Sequence, residues 1–186
     1  FGAELDSIAD MVSFGAAPAL IVYEWALKSL PSPRIALAAA FIYAACAALR
    51  LARFNVQIGT IDKRFFNGLP SPAAAAVLAG FVLLIDDLNI DGASVAWWAF
   101  AVTLVAGISM VTTAKFFSFK SMGRRAISFT AIAMLAVGFG VVLMHPPTVI
   151  FAVFVTYLAS GYAVWVWHAL SKRPITPVAI AAVNDE

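Results

Sequence analysis

The sequence predicts an all-α fold, a polytopic membrane helix bundle with six transmembrane helices. Of its 186 residues, 63% are apolar and only 12% are charged, and the mean hydropathy is +0.94. A soluble domain typically has about 25% charged residues. The apolar residues also form six long runs that are separated by short polar segments. We therefore expect an integral membrane protein.

The limits of the helices follow from proline and from capping residues. We expect the first helix to kink at Pro18, because proline lacks the amide hydrogen that an α-helix uses. The second and third helices each start at a Ser-Pro pair, in which Ser32 or Ser71 is the predicted N-cap. The predicted transmembrane domain covers residues 1–170, followed by a cytoplasmic tail at 171–186. The six helices are predicted at 2–30, 33–57, 72–85, 93–111, 126–144 and 148–170.

Positive charge predicts the orientation of these helices. If the first helix starts in the cytoplasm, then the loops 50–64 and 112–125 and the tail also lie there. These three segments hold ten of the twelve Lys and Arg residues, and cytoplasmic loops are enriched in Lys and Arg. We therefore expect a cytoplasmic amino end. The net charge is only +2, so composition gives no support for a nucleic-acid partner.

Two aspartates stand at the start of the first predicted helix. Gly2, Asp6 and Asp10 are spaced i, i+4 and i+8, so a helix places them on one stripe. A charged Asp inside a membrane span costs at least ~2.5–3.5 kcal/mol. Spacing alone leaves two interpretations open. The acids either face a wet cavity, a partner or an ion, or they lie outside the bilayer and stabilise the helix N-terminus.

A second polar cluster, Arg50, Arg53 and Asn55, ends the second predicted helix at the same expected depth. Arg50 and Arg53 share a face, whereas Asn55 points elsewhere on an ideal helix. Carboxylate oxygens suit a divalent cation, and a planar guanidinium suits phosphate or carboxylate. The alternative is that both arginines only extend toward the cytoplasmic boundary, as long cationic side chains do.

The spacing Gly2-x3-Asp6-x3-Asp10 resembles the second half of the CDP-alcohol phosphotransferase signature, D-x2-D-G-x2-A-R-x8-9-G-x3-D-x3-D. The stretches Arg50–Asn55, Phe66–Pro72 and Ser118–Lys120 resemble the phosphatidylserine synthase branch of that family. In the family, the first half of the signature precedes the position of Gly2. We therefore expect that this chain lacks the family's N-terminal part, about two helices, and that the whole protein has eight helices.

The resemblance implies an enzyme that transfers the phosphatidyl group from CDP-diacylglycerol to L-serine, giving phosphatidylserine and CMP, with Mg²⁺ or Mn²⁺. It implies that Asp6 is a metal ligand, that Asp10 is a metal ligand and the general base, and that Gly2 lets the nucleotide approach closely. It also implies a homodimer among membrane lipids, in the bacterial inner membrane, with its site at the cytoplasmic face. The predicted substrate-binding residues are Arg50, Arg53 and Asn55.

Two other functions remain open at this point. The same chemistry could use glycerol 3-phosphate or inositol as the acceptor, and competition between headgroups would separate these cases. A non-catalytic transporter or scaffold would instead use its basic cytoplasmic loops to bind anionic lipids. Release of CMP that requires a divalent metal would distinguish the enzyme from such a protein.

Overall fold

The computed structural model describes residues 1–57, 65–112, 115–117, 138–140 and 142–171. The first helix is continuous: α1 (Gly2–Met11) passes through a π-helical turn (Val12–Ala16) into α2 (Ala17–Trp25). Residues 138–140 and 142–144 are also helical. The other helices are α3 (Pro33–Gln57), α4 (Ser71–Asp87), α5 (Ala96–Val111) and α6 (Pro146–Ser171), with 3-10 turns at Leu27–Ser29 and Gly92–Val95.

The helical class and the membrane character are confirmed, but the count of six spans is not. Within the described residues, four segments are long and apolar enough to cross a membrane. Helix α4 has only 17 residues, and a helix rises ~1.5 Å per residue, so α4 is shorter than the ~30 Å hydrocarbon core. The predicted helix 126–144 lies mostly outside the described residues, as does the tail. The four segments are Glu4–Trp25, Pro33–Val56, Gly92–Val111 and Pro146–Trp167.

A small β-ribbon adds to the helices and was not predicted. Strands β1 (Phe65–Asn67) and β2 (Lys115–Phe117) pair antiparallel, with Phe65 opposite Phe117. The ribbon joins the connection after α3 to the connection after α5. Strands of three residues are too short to show the alternation by which a strand is recognised in sequence.

The turn after β1 sits on the carboxyl end of α5. Gly68 has φ +86°, a left-handed conformation that glycine adopts without steric cost. A side chain there would collide with the carbonyl of Met110. The next residue, Leu69, donates its N–H to the carbonyl of Ser109 over 2.9 Å. This turn therefore fixes the start of α4 against the end of α5.

Small residues let the helices pack closely around Tyr43. Its side chain is 0% exposed and is the largest of those that are fully buried. A Cβ placed on Gly107 of α5 would lie 3.2 Å from the Cα of Tyr43, so α3 and α5 cross closely at this point. Small residues at such crossings stabilise helix pairs in membranes because they permit van der Waals contact between backbones.

The first helix packs antiparallel to α3. A Cβ on Gly15 would lie 3.1 Å from Cβ of Ala47, so this glycine permits close approach. The sequence predicts a kink at Pro18; what the structure shows is a π-helical turn over Val12–Ala16, just before the proline. Such turns are rare and often lie near functional sites. The turn separates the aspartates from the buried part of the helix.

The opposite end of the bundle holds a separate set of polar contacts. Glu24 forms an exposed ion pair with Lys28, with 2.8 Å between Oε2 and Nζ. Gly92 lies against the backbone and ring of Trp25. The connections after α2 and after α4 therefore meet at this end, away from Asp6 and Asp10.

Candidate functional site

The candidate site begins at the amino end of α1. The helix runs without interruption from Gly2 to Met11, so the expected stripe of Gly2, Asp6 and Asp10 forms. Asp6 is exposed and Asp10 is half-buried. A Cβ added at Gly2 would meet no described atom within 4 Å. The acids therefore face a surface that a polar ligand can reach.

Arg50 lies across from these acids, on α3. Its guanidinium donates from Nη1 to Oγ of Ser71 over 2.8 Å, and it interacts electrostatically with Asp10 and with Tyr157 of α6. Its Nε is buried and has no hydrogen-bond partner within the described residues. A buried donor without an acceptor costs about 1–3 kcal/mol, more when it is charged. The arrangement therefore leaves a cationic N–H suited to an anionic ligand.

Ser71 has a different role from the predicted one. Helix α4 begins at Ser71 with Pro70 at the N-cap, and no side-chain capping bond forms at this terminus. The predicted N-cap role of Ser71 is therefore wrong: its hydroxyl accepts a hydrogen bond from Arg50 instead. A bond from a charged donor is roughly twice as strong as a neutral one. Ser71 is thus a site residue that sequence reasoning missed, since a Ser-Pro pair looks the same in either role.

Arg53 ties α3 to α5. Its Nη1 donates to the carbonyl of Val111 over 3.0 Å. Val111 ends α5, where carbonyls have no partner within the helix and positive charge is favourable. Arg50 and Arg53 share a face of α3 as predicted, but their guanidinium groups bond to different neighbours, α4 and α5.

Asn55 points to a different neighbour from Arg50 and Arg53, as an ideal helix predicts, and that neighbour is the acidic helix. Its Nδ2 donates to Oγ of Ser7 over 3.2 Å. Ser7 lies between Asp6 and Asp10 in sequence, so Asn55 contacts the helix that carries both acids. An ideal-helix projection of α3 alone does not show where the first helix crosses it. Ser7 is a second site residue that the sequence analysis did not single out.

Asp6 and Asp10 fit a cation that is shared with a ligand, rather than one enclosed by protein. No group of three or more His, Cys, Asp or Glu side chains gathers within the residues that the structure describes. Mg²⁺ typically takes one or two carboxylates and completes its coordination with water and substrate phosphates. Two adjacent carboxylates on an accessible stripe satisfy that requirement as hard oxygen donors.

These features define an integral membrane protein with a candidate site in which an acid on the first helix interacts electrostatically with a guanidinium on α3. The family model described as CDP-alcohol phosphatidyltransferase matches residues 1–109. This is more than half of the 186 residues, and the chain belongs to that family. Its members generally depend on a divalent metal. The resemblance seen in the motifs is thus confirmed.

Three curated relatives carry the name CDP-diacylglycerol–serine O-phosphatidyltransferase. The Mycobacterium leprae protein is 32% identical over 169 residues, which is 84% of this chain and 53% of that protein. The Methanocaldococcus jannaschii protein is 40% identical over 116 residues, 62% of this chain and 49% of that protein. The Helicobacter pylori protein is 29% identical over 167 residues, 90% of this chain and 68% of that protein. This chain thus spans about half the length of the first two relatives.

Proposed function

We propose that the protein transfers the phosphatidyl group of CDP-diacylglycerol to L-serine, giving phosphatidylserine and CMP. The family membership and the shared names of the relatives support this activity. The observation that supports it most directly is the electrostatic interaction of Asp10 with Arg50, whose buried Nε has no hydrogen-bond partner among the described residues. The carboxylate of Asp10 suits a proton or a cation, and the guanidinium of Arg50 suits an anion.

In this reaction the serine hydroxyl oxygen attacks the phosphorus that bears the diacylglycerol. A new P–O bond forms, the P–O bond to CMP breaks, and CMP leaves with the bonding electrons. The hydroxyl proton passes to the carboxylate of Asp10. A hydroxyl is a poor nucleophile and needs a positioned base. Because a carboxylate is a weak base, the held geometry supplies much of its effect.

Asp6 and Asp10 are the residues that would hold Mg²⁺ or Mn²⁺. When bound, the cation neutralises the diphosphate and stabilises the leaving CMP. Gly2 would lie beside the nucleotide, as the family resemblance implies, and the surface there is open, because a Cβ would meet no described atom within 4 Å. The lipid tails would stay in the bilayer while the headgroups react at its boundary.

Arg50 is the leading residue for the serine carboxylate. Nη1 is occupied by Ser71, whereas Nε–H lies on the guanidinium edge that it shares with Nη2. That edge can bind both oxygens of a carboxylate, which gives strength and directional specificity. Arg53 and Asn55 would complete the polar wall, through the guanidinium donors that Val111 does not use and the amide that also bonds Ser7.

The reaction would take place at the cytoplasmic face of the bacterial inner membrane, in a homodimer. The uneven distribution of Lys and Arg along the sequence supports this orientation, because ten of the twelve fall in segments that the predicted topology places on the same side as the amino end. Orientation is open to a direct check. In a Cys46→Ala background, a cysteine placed at exposed Ser29 should react with a membrane-impermeant thiol reagent only from the outside.

The activity is tested with the natural protein in detergent or in liposomes that contain CDP-diacylglycerol. We expect CMP release that requires both L-serine and a divalent cation, and phosphatidylserine as the lipid product. Glycerol 3-phosphate and inositol serve as competing acceptors in parallel reactions. Product from either of these, with none from serine, would contradict the proposed acceptor. Absence of CMP release with all three acceptors would contradict the enzymatic function.

A further inference from the structure

We infer that Tyr43 is a positioning residue for the candidate site. Through the backbone of the first helix, it fixes the rotation and depth at which α1 presents Asp10 to Arg50. This inference rests on the proposed function for its kinetic consequence. Its structural part, that Tyr43 fixes the position of the first helix, rests on contacts within the fold.

The first contact is a hydrogen bond that compensates for a proline. The Tyr43 hydroxyl donates to the carbonyl of Phe14 over 3.1 Å. In an α-helix this carbonyl would accept from the residue four positions later, which is Pro18 and has no N–H. In a membrane, neighbouring helices supply partners for backbone groups that a proline leaves free. Tyr43 is fully buried, so its hydroxyl supplies that partner from within the core.

The second observation is the position of the π-helical turn. It covers Val12–Ala16, so it contains Phe14 and begins two residues after Asp10. A π-turn holds one more residue than an α-turn, and each residue of an α-helix turns it by ~100°. If the turn relaxed to α-helix, α1 would rotate against α3 and Asp10 would leave its place opposite Arg50.

The third observation is a row of contacts along one face of α3. Tyr43, Ala47 and Arg50 are spaced i, i+4 and i+7, so they share that face. Tyr43 bonds Phe14, Ala47 lies 3.1 Å from the Gly15 Cβ position, and Arg50 interacts electrostatically with Asp10. Tyr43 also packs closely against α5 at Gly107. The Tyr43 hydroxyl thus makes the hydrogen bond in a row of contacts that ends at the candidate site.

Removal of the hydroxyl alone tests the kinetic role. For Tyr43→Phe we expect kcat to fall about tenfold, while KM for CDP-diacylglycerol and for serine stays within twofold, because small misplacement of a reacting group lowers turnover strongly. The matched control is Thr103→Val. Thr103 is also fully buried, and its hydroxyl bonds Ala99 within its own helix, so we expect unchanged kcat. Equal losses in both variants would overturn the inference.

A second variant tests whether the bond replaces the one that proline removes. Pro18→Ala supplies an N–H at position 18, so the carbonyl of Phe14 no longer depends on Tyr43. We expect the tenfold loss from Tyr43→Phe to shrink to less than threefold in the Pro18→Ala background. Independent effects, in which the two losses multiply, would overturn the inference, since coupled residues are recognised by non-additivity.

A cross-linking measurement separates the positioning role from the enzymatic function. Ser7 and Asn55 are in contact, so a Ser7→Cys, Asn55→Cys pair in a Cys46→Ala background should oxidise rapidly to a disulfide. Adding Tyr43→Phe should slow cross-linking several-fold, whereas adding Thr103→Val should not. This result is expected even if no phosphatidylserine is made, which would refute the proposed function alone. An unchanged cross-linking rate in the Tyr43→Phe protein would refute the positioning role alone.

Discussion

Arg50 donates from Nη1 to Oγ of Ser71 over 2.8 Å, so the last turns of α3 and the first turn of α4 meet at one bond. This bond occupies Nη1 of the guanidinium, while the buried Nε has no hydrogen-bond partner among the described residues. A lysine at this position has no planar fork with which to hold both Ser71 and a carboxylate. The arrangement therefore predicts different results for two substitutions of one residue.

Replacement of Arg50 should raise the serine requirement. We expect KM for serine to rise about 10–100-fold in Arg50→Ala, because a hydrogen bond to a charged group contributes about 1.5–3 kcal/mol. Arg50→Lys should recover only part of this loss. The control is Arg34→Ala, at the exposed opposite end of α3, and steady-state kinetics with varied serine measures all three. An unchanged KM in Arg50→Ala would exclude the carboxylate role.

Replacement of Asp10 should stop turnover without preventing binding. For Asp10→Asn we expect kcat to fall about 10²–10⁴-fold, the range over which a general base contributes. Binding of CDP-diacylglycerol, measured by equilibrium titration, should change far less. Glu4→Gln makes the same chemical change at an exposed acid of the same helix and should leave kcat intact. Normal turnover in Asp10→Asn would remove Asp10 as the base.

Replacement of Asp6 should act through the cation. For Asp6→Asn we expect the Mg²⁺ or Mn²⁺ concentration that gives half-maximal activity to rise about tenfold or more, since one of two hard oxygen donors is lost. Excess cation should restore a large part of the activity. If added cation restores nothing and the requirement is unchanged, then Asp6 does not serve as a ligand.

Substitution of Gly2 tests the nucleotide side of the site. No described atom lies within 4 Å of a Cβ at this position, so Gly2→Ala and Gly2→Val should fold as the natural protein does. We expect KM for CDP-diacylglycerol to rise a few-fold for alanine and further for valine, with little change in KM for serine. Thermal unfolding in detergent checks the fold. Unchanged kinetics in Gly2→Val would show that the nucleotide does not approach there.

Substitution of Gly68 should destabilise the fold. The left-handed backbone at Gly68 costs roughly 1–2 kcal/mol for a residue with a Cβ, and the collision with the Met110 carbonyl adds to it. We expect a lower unfolding temperature for Gly68→Ala in detergent. Gly138→Ala is the control, because its Cβ would meet nothing within 4 Å among the described atoms. Equal unfolding temperatures would show that the turn accommodates a side chain.

Features that depend on local pattern were predictable from the sequence. The helix after Ser32 starts at Pro33 as expected, and the acidic stripe forms because α1 is a regular helix. The family followed from motifs that lie within single elements. Composition alone indicated a membrane protein.

Features that depend on how helices cross were not predictable. Ser71 bonds a guanidinium from α3 rather than its own backbone, and Asn55 bonds a serine on the neighbouring helix. Both contacts depend on the geometry with which two helices cross, and the sequence of one helix does not determine that geometry. The β-ribbon likewise forms between loops far apart in sequence. The partner of the Phe14 carbonyl could not be predicted either, although Pro18 indicated that one helical hydrogen bond is missing.

The exposed outer surface of α6 has a consequence for sequence divergence. Residues such as Trp165 and Trp167 are exposed, whereas the backbone of Phe151 lies against the Gly80 position of α4. Where an apolar side chain meets only acyl chains, Leu, Ile, Val and Phe are nearly interchangeable. Relatives should therefore drift fastest along the outer surface of this helix, whereas Gly80 should be retained, because a Cβ there would meet the backbone of Phe151.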